Sequence, residues 1–175
     1  MAHILFRPLL AASITVASFQ TGCQLSLSYV SIATVTGPPY VSEGVLLTQW
    51  KTLFARGFHL CPSSAFFSGL CCFANAALTY VSEGTSARMW TLLAAGSCMI
   101  GIVPFTLMTI VPLEKVLLGK EARLAKARRE KVEGPEDEAS AAETRRLLKR
   151  FNTLNYVRTI LPVVGVIVAW NAWEV

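Results

Sequence analysis

The stretch that decides the fold is FNTLNYVRTILPVVGVIVAW, residues 151–170, in which one arginine, Arg158, stands in an otherwise uncharged run. Counted from Thr159 to Trp173, the uncharged part has about 15 residues, short of the roughly 20 that cross a bilayer as a helix. It reaches spanning length only if the helix starts near Phe151, and that start puts Arg158 inside the membrane. A cation there is costly. Either its guanidinium snorkels to the headgroups along the aliphatic stem, or it faces a partner inside the protein.

Three other stretches leave less doubt about their surroundings. No charge occurs from Pro8 to Ser42, from Gly57 to Ser82 or from Met89 to Leu113, and each exceeds a membrane span in length. Charged residues make up 15% of the 175-residue chain and mean hydropathy is +0.49, against roughly 25% charge in a soluble domain. The sequence therefore predicts an all-α, integral membrane four-helix bundle forming a single membrane domain over 1–175. The expected spans are about 8–36, 57–81, 89–112 and 151–173. RPLLAASITVASFQTGC, with Arg7 as its basic region, also has the outline of a secretory signal. Apolar residues continue through QLSLSYVSIATV, far past a signal core, and favour an uncleaved first helix. QTGC makes a poor lipoprotein box, because Gln20 stands where an apolar residue is wanted.

Four spans put the N-terminus, the 83–88 loop and the C-terminus on one side, and the 37–56 and 112–150 loops on the other. The first side carries Arg7 and Arg88; the second carries Lys51 and Arg56 plus eleven Lys and Arg in the long loop. The positive-inside rule places both loops in the cytosol and the termini outside it, as in the endoplasmic reticulum or a related endomembrane. Tyr80, Trp90, Trp170 and Trp173 near one interface, with Tyr40 and Trp50 near the other, read as aromatic belts.

The long loop divides into EKVLLGKEARLAKARREKV and EDEASAAETRRLLKR around EGPED. Gly134 and Pro135 break the helical pattern, and Pro followed by acidic residues suits a first turn. A charged cytosolic helical hairpin, about 113–150, is expected between the third and fourth spans. Its solvated face explains the charge; binding of anionic lipid or a partner is the other reading. YVSEG recurs at 40–44 and 80–84 without similarity inside the neighbouring helices, so a shared helix-end vocabulary explains it better than duplication. The five cysteines at 23, 61, 71, 72 and 98 all fall in spans, which leaves no extracellular disulfide framework and no CxxC redox pair.

The polar groups left in the spans are few: Gln20, Thr21, Gln24 and Tyr29 in the first, His59 and Asn75 in the second, and Asn152, Asn155 and Arg158 in the fourth. The last three step by three residues and stay within about 120° of helix surface. Pro162 cannot supply the N–H that would bond the Arg158 carbonyl, and Pro62 does the same to Phe58 beside His59. From helix ends near Arg56 and Phe151, His59 lies about 5 Å deep and Arg158 about 10 Å deep, both in the cytosolic half. Gln20 and Gln24 share a face and read equally as packing glue or as substrate contacts. Two histidines cannot build an ordinary zinc or iron site, and no nucleotide loop or haem motif occurs. No metal site is expected.

QWKTLFARGFHLCP (49–62), VPFTLMTIVP (103–112) and LLKRFNTLNYVRTILPVVG (147–165) resemble blocks of the anthrone oxygenase-like membrane proteins of fungal anthraquinone and xanthone polyketide pathways. The likeness runs from about residue 20 to residue 168 and is weakest in the charged hairpin. It implies oxidation of an anthrone to an anthraquinone by O2 as co-substrate, with no metal, flavin or nicotinamide cofactor. On that reading His59 is the general base, Arg158 stabilises the oxyanion and Asn155 orients the substrate or Arg158. Trp50, Phe58 and Phe151 add aromatic contact, with Gln20, Gln24, Tyr29 and Asn152 as further substrate-binding candidates. The partners implied are a small aromatic polyketide and membrane lipid, with no nucleic acid; a homo-oligomer is compatible with the sequence. The alternative from another class is a non-catalytic four-span scaffold that binds pathway partners or anionic lipid through its basic hairpin. A thiol oxidase fails on the missing CxxC, and nothing argues for a transporter.

Overall fold

The computed structural model describes residues 2–38, 41–130 and 138–174, without the side chains of residues 2, 3, 58, 59 and 174. Four helical rods account for nearly all of them. The first is α1 (Ala2–Ser26), a π-helical segment (Leu27–Ile32) and α2 (Ala33–Thr36); the second is α3 (Glu43–Glu83). The third joins α4 (Ala87–Phe105), a second π segment (Thr106–Ile110) and α5 (Val111–Arg129), and the fourth is α6 (Glu138–Glu174). No strand occurs among the described residues, and all four rods are long and apolar enough to cross a membrane.

Helix ends follow local chemistry. Ser86 caps α4 by accepting from the Met89 N–H at 3.3 Å, which satisfies one of the orphan donors of the first turn. Gly84, at φ 72°, ends α3 with its N–H on the Tyr80 carbonyl, a left-handed step that costs a glycine nothing. α3 begins at Glu43 rather than near residue 57. Leu46, Leu47 and Trp50 form a fully buried stripe on those early turns, and packing of that stripe on α5 and α6 keeps the segment helical. α5 likewise carries the third rod well beyond residue 112. The turn at 131–137, expected to join a hairpin, lies outside the described residues.

The burial pattern is that of a chain solvated by lipid. The first rod buries Ser13, Ala17, Gln20, Gln24 and, in its π segment, Ser28, while Ile4, Phe19 and Tyr29 face outward. α6 buries Asn155, Arg158, Thr159 and Ala169 and exposes Ile160, Ile167 and Trp170. Small and polar groups mediate helix contact because apolar surface gains little by leaving lipid. At the α3–α4 crossing, a Cβ on Gly69 would meet Ile100 and lie 3.2 Å from the Gly96 carbonyl. One on Gly96 would come within 2.7 Å of Phe73, and one on Gly165 of α6 within 2.8 Å of Met99.

Two apolar cores result. One, near the α3–α4 turn, gathers Leu10, Cys72, Leu92, Met99 and Ala169. The other, at the charged end, gathers Ile32, Leu47, Trp50, Ile110, Leu117 and Phe151. Polar ties close the charged end: buried Glu43 accepts from Ser140 at 3.0 Å and from Thr144 at 2.5 Å, and Lys120 stands 3.7 Å from it. Arg145 donates to the Pro38 and Val41 carbonyls at 3.1 and 2.9 Å. Lys51 pairs with Glu121 at 2.7 Å.

Candidate active site

Between the two cores the helices part around a cavity of about 230 Å³. Its walls are apolar: Phe54 and Pro62 from α3, Ile102 and Val103 from α4, Phe151 from α6. Both π segments contribute, through Leu27 and through Thr106 and Leu107. The second begins two residues after Pro104, whose missing N–H disturbs the helical ladder. Such bulges recur at functional sites, and here they widen the space between rods.

Three side chains bring oxygen or nitrogen to the lining: Thr106, Glu114 and Arg158. The Thr106 hydroxyl is committed to the Ile102 carbonyl at 2.7 Å. Arg158 is 8% exposed, its Nε meets no hydrogen-bond partner, and it joins none of the ion pairs found among the described residues. A guanidinium held this way can receive an anion, since a buried charge without an ion-pair partner costs several kcal/mol. Phe54 and Phe151 form the wall toward the charged end, backed by Trp50. Phe54 stacks on Trp50 with centroids 5.4 Å apart, and Phe151 meets Trp50 edge-on at 5.6 Å.

A wider groove of about 480 Å³ runs between α1 and α3, lined by Phe19, Gly22, Arg56 and Leu60. It shares Leu27, Gly57 and Cys61 with the cavity, so these three residues form the partition. Gly57 keeps it thin: a Cβ there would lie 3.8 Å from Leu27 Cδ2.

Of the residues singled out from sequence, Arg158 and Phe151 line the cavity and Trp50 buttresses it. Asn155 turns toward α1 instead: its Nδ2 donates to the Gln24 carbonyl at 3.3 Å and to the Ser28 hydroxyl. Thr159 donates to Gln24 Oε1 at 3.2 Å. Gln24, Ser28, Asn155 and Thr159 thus form a polar seam between α1 and α6. Gln20 is buried with its Nε2 unpartnered, Asn152 is half-buried with Oδ1 unpartnered, and neither is among the cavity-lining residues. Tyr29 is 76% exposed on the outer face. The side chains of Phe58 and His59 lie outside the described residues, although Gly57 and Cys61, on the same turns, reach the cavity wall. Sequence reasoning missed Glu114 and Phe54. Glu114 was visible only as the charge that ends the third uncharged stretch. No three His, Cys, Asp or Glu side chains gather as a metal site among the described residues.

The family model of the anthrone oxygenases matches residues 50–168, more than half of the chain. The chain belongs to the anthrone oxygenase family. It is 27% identical over 171 residues to anthrone oxygenase AgnL2 of Paecilomyces divaricatus, covering 92% of this chain and 96% of that protein. It is also 27% identical over 155 residues to anthrone oxygenase tpcL of Aspergillus fumigatus, covering 89% and 86%. For anthrone oxygenase ptaC of Pestalotiopsis fici the figures are 28% over 130 residues, 71% and 82%. No solved structure matches the chain. Apart from Leu27, every residue lining the cavity falls inside the segment matched by the anthrone oxygenase family.

Proposed function

We propose that this protein oxygenates an anthrone-type polyketide to an anthraquinone in the cavity between its two cores, using O2 and no metal, flavin or nicotinamide. The observation that carries the reading is Arg158, a buried cation with an unpartnered Nε, lining an otherwise apolar cavity. The names of the relatives supply the substrate class, and the geometry supplies a reason why such a substrate would react there. An anthrone that loses a proton from its central methylene becomes an anion delocalised onto the ketone oxygen. Arg158 pairs with that oxygen, and the low dielectric makes a fixed cation effective. The anion gives one electron to O2, the radical and superoxide combine at the methylene carbon, and the resulting peroxide loses water to leave the second carbonyl. One O2 is consumed, one oxygen atom stays in the quinone and the other leaves as water.

Phe54 and Phe151 offer ring faces and edges to a flat tricycle. The groove between α1 and α3 gives a greasy substrate a path from the lipid, with Arg56 at its side. We place the protein in an endomembrane with the charged end in the cytosol. The test is to supply membranes carrying the protein with a dihydroxyanthrone under ¹⁸O2. One labelled oxygen should appear per quinone, at a rate well above protein-free autoxidation and unchanged by chelators. Quinone formation no faster than in control membranes, or a loss of activity with chelation that added metal restores, would overturn the proposal.

A further inference from the structure

Arg158 answers for the oxyanion, but the reaction also needs a base, and the cavity holds a second charged group. Of the described carboxylates, Glu43, Glu83, Glu121, Glu130 and Glu143 all pair with Lys or Arg. Glu138, exposed at the start of α6, and Glu114 join none of those pairs, and of the two only Glu114 lines the cavity. It is half-buried on the first turns of α5 and lines the same cavity as Arg158 of α6. Two opposite charges on one apolar cavity would normally close on each other, yet no ion pair joins these two among the described residues. Glu114 stands on α5 and Arg158 on α6, with no N···O contact of 4.0 Å or less between them.

That separation matches the shape of the reacting group. In an anthrone the acidic methylene and the ketone oxygen lie at opposite ends of the central ring. A base and a cation in direct contact would neutralise each other and could not serve both ends; on different helices around one cavity they can. Resting on the reading above, we propose that Glu114 is the catalytic base of the anthrone oxygenation. The methylene C–H bond breaks, its proton moves to a Glu114 carboxylate oxygen, and the electron pair spreads through the ring to the oxygen facing Arg158. After O2 has added, Glu114 gives that proton to the peroxide. As a carboxylate again, it takes the remaining hydrogen on the same carbon as a proton; that C–H pair becomes the new carbonyl bond, the O–O bond breaks, and hydroxide leaves with the proton as water.

The experiment separates proton removal from oxygenation. The detergent-purified full chain is incubated without O2 in D2O with a dihydroxyanthrone, and deuterium uptake at the methylene is followed above the protein-free rate; quinone formation is then measured in air. Glu114→Gln keeps the shape and removes the base, so both rates should fall by at least about a hundredfold, the usual worth of a positioned general base. Glu114→Asp should recover part of both. Binding of the corresponding anthraquinone, followed by tryptophan fluorescence, should stay near wild type in Glu114→Gln and shows that the cavity is intact. If Glu114→Gln exchanges and oxygenates like wild type, or if His59→Gln abolishes exchange while Glu114→Gln does not, Glu114 is not the base. If the wild-type protein itself does neither reaction, the functional reading fails, an outcome distinct from the failure of Glu114 alone.

Discussion

Asn155 and Arg158 stand three residues apart on α6, about 60° from each other around the helix, and that angle gives them different neighbours. Asn155 ties α6 to α1 through the Gln24 carbonyl and Ser28, whereas Arg158 turns into the cavity without a partner at Nε. Interhelical hydrogen bonds in membranes average about 0.6 kcal/mol. Asn155→Leu, which removes two of them, is therefore expected to lower stability by about 1 kcal/mol in a thermal melt, with a smaller effect on turnover. Retained stability with a large rate loss would instead give Asn155 a part in the chemistry. The stripe of residues 152, 155 and 158 was legible from its spacing. Which member meets α1 and which meets the cavity was not, because a 120° arc of one helix says nothing about where its neighbours lie. Glu114 was hidden for a related reason: a charge at the end of an apolar run is ordinarily a topology signal, and only the approach of α3 and α6 turns it into cavity lining.

The four rods were readable as elements because long uncharged stretches have one solution in lipid. Their true lengths were not. Residues 43–56 carry Lys51 and Arg56 and read as a loop, but burial of Leu46, Leu47 and Trp50 against α5 and α6 makes them the opening turns of α3. The π segments also left no trace in the pattern, although Pro104 marks the place near one of them. Glycines decide how closely the rods approach. Gly96→Ile places new atoms against Phe73 and the Gly69 carbonyl, which lies 3.1 Å from the first added carbon. That overpacking should cost about 1–3 kcal/mol, seen as a lower melting temperature of the purified protein. Gly57→Leu is different: its first carbon has room beside Leu27 at 3.8 Å, and it adds bulk to the partition between groove and cavity, where Gly57 lines both. Stability should hold while kcat/KM for a dihydroxyanthrone falls by about tenfold or more, the loss expected when substrate is displaced from its reacting position. An unchanged kcat/KM would mean that substrate does not pass this partition.

As a whole, the molecule is a bundle with two packed cores and a cavity between them, built so that its charged end carries nearly all the Lys and Arg. We read the charge asymmetry, by the positive-inside rule, as putting that end in the cytosol. Cysteines introduced at Ser42 and Ser86 test it: an impermeant thiol reagent added to sealed microsomes should label position 42 and spare position 86, and the reverse would invert the topology. Fold class was legible from the whole sequence, since nothing but a membrane bundle accommodates its four apolar stretches. The cavity is a tertiary object, assembled from turns far apart in the chain, and of its lining only Arg158 and Phe151 were among the site residues singled out from sequence. The most direct test of the account is therefore the turnover of Arg158→Gln beside wild type and Arg158→Lys, each measured with a dihydroxyanthrone and O2 on protein shown to be folded. Loss of the oxyanion partner should lower kcat by about 10²–10³-fold, with Arg158→Lys intermediate. A folded Arg158→Gln protein that forms quinone at near wild-type rate would contradict the assignment of this arginine to the substrate.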